Sequence, residues 1–454
     1  MNPRRLVILM PLIALTAAPI TVAQIEKQAQ TYDLTLEDCL TSTFSQNPAV
    51  QERRTEIERA TGAKLVYRSR ALPQLAAQAT AGWREGLLYS PTGPYTLLTA
   101  QFSQPLIDVG IPPAIRRGQL EVIIAQQNFN REVTERLHEA RVTFLQALYF
   151  RDRIALYDEI DKHLQANVQS EQHRREVGIG TEAALKSAKI QQLNLEFDLT
   201  STRDAYFAAV VKLSEICGRD TGETTNGQRQ LRLPKPLGVL GYEPATVNVL
   251  RETDYALQHR ADLKLLRALV DAFTAEKQTV QAGYFPTISL VASALLLPQN
   301  FLVSKQTGIV KGQNTGSSET REGGALSWRV LDNGLVTGAS LRLEAARQGY
   351  EIALRHLQQN IPRELATIEG ALQSADAGHA ALLKAAEAAE ENLQLIESEV
   401  ALGGATQLDF LKAQDNLLSV RSGILDATQA HEIARAELDH VTGRYLEYQI
   451  LNTP

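Results

Sequence analysis

The chain of 454 residues carries 52 Asp and Glu against 46 Lys and Arg, for a formal charge of −6. That length is enough for two or three domains with sizeable cores, and the acidity excludes the basic face that nucleic-acid phosphates demand. The eight histidines are scattered, with no pair at metal-ligand spacing on a helix face, and neither GxSxG nor a phosphate loop appears, so catalysis has little support and no metal or cofactor is expected.

Residues 1–23 read as an export signal. Arg4 and Arg5 precede an apolar run over 6–20, and small residues follow around Ala23. The run is shorter than the ~20 residues needed to cross a bilayer as a helix. Cleavage before Gln24 leaves the mature chain more acidic still. No later apolar stretch reaches helical spanning length, so a mature chain that crosses a membrane must do so with β-strands.

The remainder reads as one architecture written twice. The first repeat, 24–219, is predicted as helix 35–70, strands 74–90 and 94–105, a long helix 113–177, a short turn and helix 181–217. A Thr/Gly/Pro-rich connector, 220–245, leads to the second repeat, 246–454. There the expected elements are helix 246–284, strands 287–302 and 323–331, long helix 335–402 and helix 406–442. Short motifs carry the duplication. Leu72-Pro73-Gln74-Leu75 matches Phe285-Pro286-Thr287-Ile288, and Asn47-Pro48-Ala49-Val50 falls on Arg260-Ala261-Asp262-Leu263 at the same offset. Leu106-Ile107-Asp108-Val109-Gly110 matches Val330-Leu331-Asp332-Asn333-Gly334, Ala188 pairs with Ala413, and Gly218-Arg219 pairs with Gly443-Arg444, all at a larger offset. The register therefore grows between the two strands of the second repeat, where 304–324 has the Gly/Ser/Thr-rich composition of a loop.

The long helices carry coiled-coil patterning. Ile361, Leu365, Ile368, Leu372, Ala375, His379, Leu382, Ala386, Ala389, Leu393, Ile396 and Val400 alternate spacings of four and three, and Val133, Leu137, Ala140, Phe144 and Ala147 do the same. At 1.5 Å per residue, helix 113–177 spans about 100 Å, about twice the reach of the helices flanking it. Those two can stack end to end against the long one. His379, within the stripe, reads as a packed interface residue rather than a ligand. Pro362 lacks a backbone donor and crowds the preceding turn, so a bend or irregular turn is expected beside it.

The strands alternate. Leu75, Ala77, Ala79, Ala81 and Trp83 share one face, against Ala76, Gln78, Thr80, Gly82 and Arg84 on the other. The other three strands follow suit, with Leu98-Ala100-Phe102, Ile288-Leu290-Ala292-Ala294 and Leu326-Trp328-Val330 on their apolar faces. Tyr89, Tyr95, Tyr284, Phe285, Phe301, Trp83 and Trp328 lie in or beside them, as an aromatic girdle would. Such segments suit a membrane barrel with a wet interior; alternation alone fits a soluble sheet with one wet face equally well.

Element order and turn motifs together resemble the TolC family of bacterial outer membrane efflux proteins across nearly the whole mature chain. Leu36-Glu37-Asp38-Cys39-Leu40 followed by Asn47-Pro48 is similar to that family's first helix. Gln104-Pro105-Leu106-Ile107-Asp108-Val109-Gly110 resembles its strand-to-helix turn. Val177-Gly178-Ile179-Gly180-Thr181 and Leu402-Gly403-Gly404-Ala405-Thr406-Gln407-Leu408-Asp409-Phe410-Leu411 resemble its two helix-hairpin tips. The resemblance implies a mainly α fold with a membrane β part, in which a homotrimer closes one 12-stranded β-barrel in outer-membrane lipid, continued by an α-helical barrel across the periplasm. It implies a passive exit duct for tripartite efflux or type I secretion, joined to a periplasmic adaptor and an inner-membrane transporter. The runner-up reading is a non-channel periplasmic coiled-coil protein, structural or adaptor-like.

Three sets of site residues follow. The resemblance makes the tips, Val177 to Thr181 and Leu402 to Thr406, the adaptor-docking surface, with Gly178, Gly180, Gly403 and Gly404 allowing positive φ at the reversals. It also places Asp409 at the constriction; Lys412, one turn on, stands where family members can carry a second acid and is expected to pair with Asp409. Finally, export puts Cys39 and Cys217 in an oxidising compartment, near the junction of the two stacked helices, where a bridge between them can persist.

Overall fold

The computed structural model describes residues 30–84, 93–219, 224–225, 228–229, 232–297 and 317–448. Residues 1–23, expected as an export signal, and Tyr89 and Phe301 lie outside the described residues. In chain order the elements are β1 (Gln30–Leu34), α1 (Leu36–Gln46), α2 (Pro48–Ser69), β2 (Gln74–Arg84), β3 (Gly93–Ile107), α3 (Ile111–Glu176) and α4 (Glu182–Ile216). They continue with β4 (Arg232–Pro236), α5 (Val249–His259), α6 (Ala261–Gln281), β5 (Thr287–Leu297), β6 (Ser317–Ser327), α7 (Leu335–Leu402) and α8 (Gln407–Thr442).

Helix starts and stops follow from local chemistry. The single helix expected over 35–70 is two, because Asn47 ends α1 and caps α2. Its Oδ1 accepts from the Ala49 and Val50 N–H groups at 3.0 and 3.4 Å, and Pro48 occupies the first helical turn, where its missing N–H costs nothing. The helix expected over 246–284 breaks at the matching residue, Arg260, into α5 and α6, then tightens into a 3-10 turn at Ala282–Tyr284. Arg260 offers no side-chain cap. Instead its guanidinium holds Asp262 at 2.7 Å, Glu364 at 3.1 Å and the Val441 carbonyl at 3.3 Å. At the two strand-to-helix turns the repeated Asp-x-Gly does the same work twice. Gly110 N–H donates to Asp108 Oδ1 at 2.7 Å, and Gly334 N–H donates to Asp332 Oδ1 at 3.1 Å.

The described residues cluster into two compact units. One draws on the described parts of 1–42, 140–242 and 378–432, the other on 43–139, 243–377 and 433–454. In the second unit β2, β3, β5 and β6 form one antiparallel sheet in that order. One face carries Leu75, Ala77, Ala79, Ala81 and Trp83 beside Leu98, Ala100 and Phe102, then Ile288, Leu290, Ala292, Ala294 and Leu296. On β6 that face holds Leu326 but also Ser318, Thr320 and Glu322. β6 lies upstream of the strand expected over 323–331: its ladder starts at Thr287↔Ser327, and Pro286 precedes that pair. Trp328 therefore leaves the sheet and donates its Nε1–H to the Tyr284 carbonyl at 3.1 Å. Residues 317–322, expected as loop, are strand. Pro105 sits at a bulge between β3 and β5, where a missing N–H is tolerated.

The core of the second unit is aliphatic. Ile361, Leu365, Ile368 and Leu372 of α7 pack with Ala256, Leu263, Ala434 and Val441. The α-helical run continues without interruption through Pro362, so the irregular turn expected there is absent. Beside that core His138 stacks on His440 with ring centroids 4.5 Å apart, and His138 Nε2 lies 3.0 Å from Glu437 Oε2. Burial, then the neighbouring His138, pushes His440 down to about 4. A histidine depressed in the folded state binds its proton more readily when unfolded, so its contribution to stability is complete above about pH 6.5 and is lost as pH falls toward 4. The denaturation midpoint of the protein is accordingly expected to drop across that window. His440→Gln should flatten the slope; an unchanged slope would remove His440 from the account.

The first unit contains a feature the sequence reading missed: β1 pairs in parallel with β4, inside the expected connector. Leu233 of β4 packs on Ala147, Ala209 and Val210. Arg151 straps the strand down, donating to the Pro236 and Gly238 carbonyls at 3.0 and 2.8 Å. Farther along, Tyr242 stacks on buried His379 at 3.8 Å.

Candidate functional site

Both hairpin ends of the first unit are built by one device. α3 ends with Gly178 in the left-handed region at φ 81°, and α7 with Gly403 at φ 78°. At the first, Gly178 N–H donates to Arg175 O at 3.0 Å and Ile179 N–H to Arg174 O at 2.9 Å. At the second, Gly403 N–H donates to Val400 O at 3.1 Å and Gly404 N–H to Glu399 O at 2.8 Å. These pairs of bonds form a Schellman motif, which satisfies carbonyls at a helix C-terminus and needs a left-handed residue to do so. Of the four glycines expected at positive φ, Gly180 and Gly404 are not. Gly180 is needed for space: a Cβ there would meet Arg175 N at 2.8 Å and Arg174 C at 2.9 Å. At Gly404 the nearest atom is 3.7 Å away, so neither reason applies.

The returning helices are capped just as locally. Thr181 Oγ1 accepts from Ala184 N–H at 3.2 Å. At the second end, Thr406 Oγ1 accepts from Asp409 N–H at 3.2 Å, while Asp409 Oδ2 accepts from Thr406 N–H at 3.0 Å and from its hydroxyl at 2.5 Å. This is a reciprocal capping box. Asp409 thus turns back to Thr406 rather than to exposed Lys412. The Thr406 hydroxyl and N–H, with Lys412 adding at longer range, hold the Asp409 carboxyl below its ordinary range. Its capping contribution is therefore present above the usual carboxylate pKa and lost as pH falls through the lowered value. Thr406→Ala is expected to bring the carboxyl back toward its ordinary pKa and to speed amide exchange at 407–410. Unaltered exchange would show that the box does not hold this turn.

The apolar residues of both ends face solvent: Val177, Ile179, Leu402 and Leu408 are 61%, 70%, 87% and 54% exposed. Behind them α8 packs on α3 and α4, with Leu418 against the Tyr157, Ile160, Leu195 and Leu199 cluster. Arg421 of α8 reaches Glu159 at 3.4 Å and Glu390 at 3.0 Å. A network absent from the sequence reading lies nearby. Tyr149 O–H donates to Asp426 Oδ1 at 2.5 Å, and Arg153 donates to the Tyr149 hydroxyl and, at 2.9 Å, to that of Tyr157. Burial and the Asp426 bond push Tyr149 up to about 12. The signal was present as Tyr149, Arg153 and Tyr157 at successive steps of four, one helix face.

Cys39 and Cys217 are brought together: both are fully buried, with their Sγ atoms 3.3 Å apart. Among the described residues no group of three or more His, Cys, Asp and Glu could hold a metal ion, and no helix is long and apolar enough to cross a membrane.

With this geometry in place, the comparisons with known proteins are direct. The family model for outer membrane efflux proteins matches residues 40–219 and 253–444. The outer membrane efflux protein BepC of Brucella suis biovar 1 is 22% identical over 338 residues, covering 74% of this chain and 69% of BepC. The proteases secretion protein PrtF of Dickeya chrysanthemi is 21% identical over 368 residues, covering 78% and 74%. Among solved structures, the outer membrane protein VceC of Vibrio cholerae superposes with a TM-score of 0.73 at 16% identity, over 90% of this chain and 96% of VceC.

Proposed function

This chain belongs to the outer membrane efflux protein family, and from that premise we propose the assembly in which it works. It is an outer-membrane exit channel and not an enzyme. The observation that carries the assembly is the four-stranded sheet, which has an apolar face and two open edges, β2 and β6. In lipid each unpaired backbone group at such an edge costs several kcal/mol, and four strands cannot close on themselves. β6 of one copy therefore pairs with β2 of the next. Three copies, each giving the four strands of this sheet, close a 12-stranded barrel.

The apolar face meets lipid, with Trp83, Tyr284, Phe285 and Trp328 at its margins. α3 and α7, with 66 and 68 residues, are each about 100 Å long, and they continue the barrel into the periplasm. The two repeats, 24–219 and 246–454, supply equivalent walls, joined by the connector 220–245. The exposed apolar hairpin ends, Val177 to Thr181 and Leu402 to Thr406, dock the periplasmic adaptor that couples the duct to an inner-membrane transporter. Because Asp409 is occupied by Thr406 and Lys412 lies one turn away, the constriction is expected to be only weakly cation-selective.

Outer-membrane fractionation followed by single-channel recording tests this reading. Trimeric channels with modest cation preference are expected. A soluble periplasmic protein without conductance would overturn it in favour of a coiled-coil scaffold.

A further inference from the structure

We propose that Cys39 and Cys217 form an intramolecular disulfide that closes the first repeat into a covalent ring. The inference rests on the outer-membrane reading only through export to an oxidising compartment, where such bonds persist. Cys39 lies in the first turns of α1, and Cys217 is the C-cap residue of α4. Both are fully buried, and their sulfurs are 3.3 Å apart, inside van der Waals contact and a short movement from the ~2.05 Å of an S–S bond. They lie 178 positions apart, and the segment between them contains α2, β2, β3, α3 and all of α4.

The second repeat supports this independently. At the repeat offsets, Cys39 falls on Glu252, Cys217 on Thr442 and Arg219 on Arg444. Both copies follow their last helix with a left-handed glycine, Gly218 at φ 63° and Gly443 at φ 82°. In the second copy the two ends are tied there by an ion pair, Arg444 to Glu252 at 2.6 Å. In the first copy the place of Glu252 is taken by a thiol. Arg219, the counterpart of Arg444, turns away and lies over the Tyr32 ring at 5.3 Å. The same junction is thus held once by charge and once by two facing sulfurs.

The chemistry needs an oxidant, a protein disulfide of the export compartment. A thiolate of this chain attacks that disulfide, forming a mixed disulfide and expelling one oxidant thiolate. The second cysteine thiolate then attacks the mixed disulfide at this chain's sulfur and expels the other. Two protons leave the two cysteines, two electrons pass to the oxidant, and the oxidant becomes a dithiol. Since both sulfurs are sealed in the fold, exchange occurs before α1 closes on α4, and the finished bond is shielded from reductants.

The test uses the full chain expressed with its own leader. Cells are quenched with N-ethylmaleimide under denaturing conditions, and outer-membrane protein is then analysed by intact mass and non-reducing electrophoresis. The expected result is no maleimide added without reductant, two added after it, and a faster-migrating monomer that reverts on reduction. Native protein should resist reductant until unfolded. The double variant Cys39→Ser, Cys217→Ser should reach the outer membrane yet lose the mobility difference. Outer-membrane protein carrying two maleimides without reduction overturns the bridge and leaves the channel reading intact. A disulfide-linked dimer overturns the intramolecular bond. Protein retained in the cytoplasm with both thiols alkylated overturns export and the bridge together.

Discussion

Replacing Ala100 with arginine is expected to cost about 2–4 kcal/mol and to deplete the protein from the outer membrane, whereas Thr99→Arg, one residue away, should leave it there. Ala100 sits at the centre of β3, directly between Ala77 of β2 and Ala294 of β5, on the face shared with Leu98, Phe102 and Leu296. If that face meets lipid, an arginine there must bring its charge to the midplane of the bilayer, with only alanines opposite. Thr99 points the other way, opposite Gln78 and Leu295, and a charge there is solvated by the lumen. Adjacent positions on one strand share backbone, depth and β-propensity, so the pair isolates the face. Membrane fractionation with a heat-stability assay of the assembled form reads the outcome. Equal behaviour of the two variants would remove the lipid-facing assignment and leave a soluble sheet as the better account.

What the sequence disclosed and what it hid divide along one physical line. Signals made and satisfied within a few residues were legible. Asp108 and Asp332 each bond the glycine two positions on, and Gly178 and Gly403 each take the left-handed turn of a helix end. The heptad stripe was legible because burial imposes its period: Val133, Leu137, Ala140, Phe144 and Ala147 are all buried. Features fixed by a distant partner were not. β4 is written RLPKP, whose prolines read as a turn, and only its ladder with β1, from Gln30↔Arg232 to Leu34↔Pro236, makes it a strand. The alternation Leu326-Trp328-Val330 drew the last strand too far downstream, because pairing with β5 sets its end. In sequence Gly180 reads as a flexible turn residue, yet it answers to the crowding of Arg174 and Arg175. The partner of Tyr149, Asp426, is 277 residues away, beyond any local pattern.

Leu365→Ala is expected to destabilise the second unit by roughly 2–5 kcal/mol, the usual range for deleting a buried leucine and leaving a cavity. Leu365 is fully buried, and its neighbours Ile361, Ile368, Leu372, Ala256, Leu263 and Val441 come from three helices besides its own. A second effect lies in the backbone. Pro362 removes one helical hydrogen bond and crowds the preceding turn, a cost of about 3 kcal/mol in an unsupported helix. α7 nonetheless runs on unbroken, with Ile361 and Leu365 anchoring the turn on either side of the proline. Loss of the Leu365 side chain should therefore raise amide exchange around 358–366 more than elsewhere in α7. Leu395→Ala, on the same helix but 63% exposed, serves as the control and should change stability by no more than about 0.5 kcal/mol. Denaturant titration of the purified protein gives the first quantity and exchange mass spectrometry the second. If exchange rises uniformly along α7, the apolar cluster stabilises the helix as a whole, and the specific support of Pro362 by Leu365 is refuted.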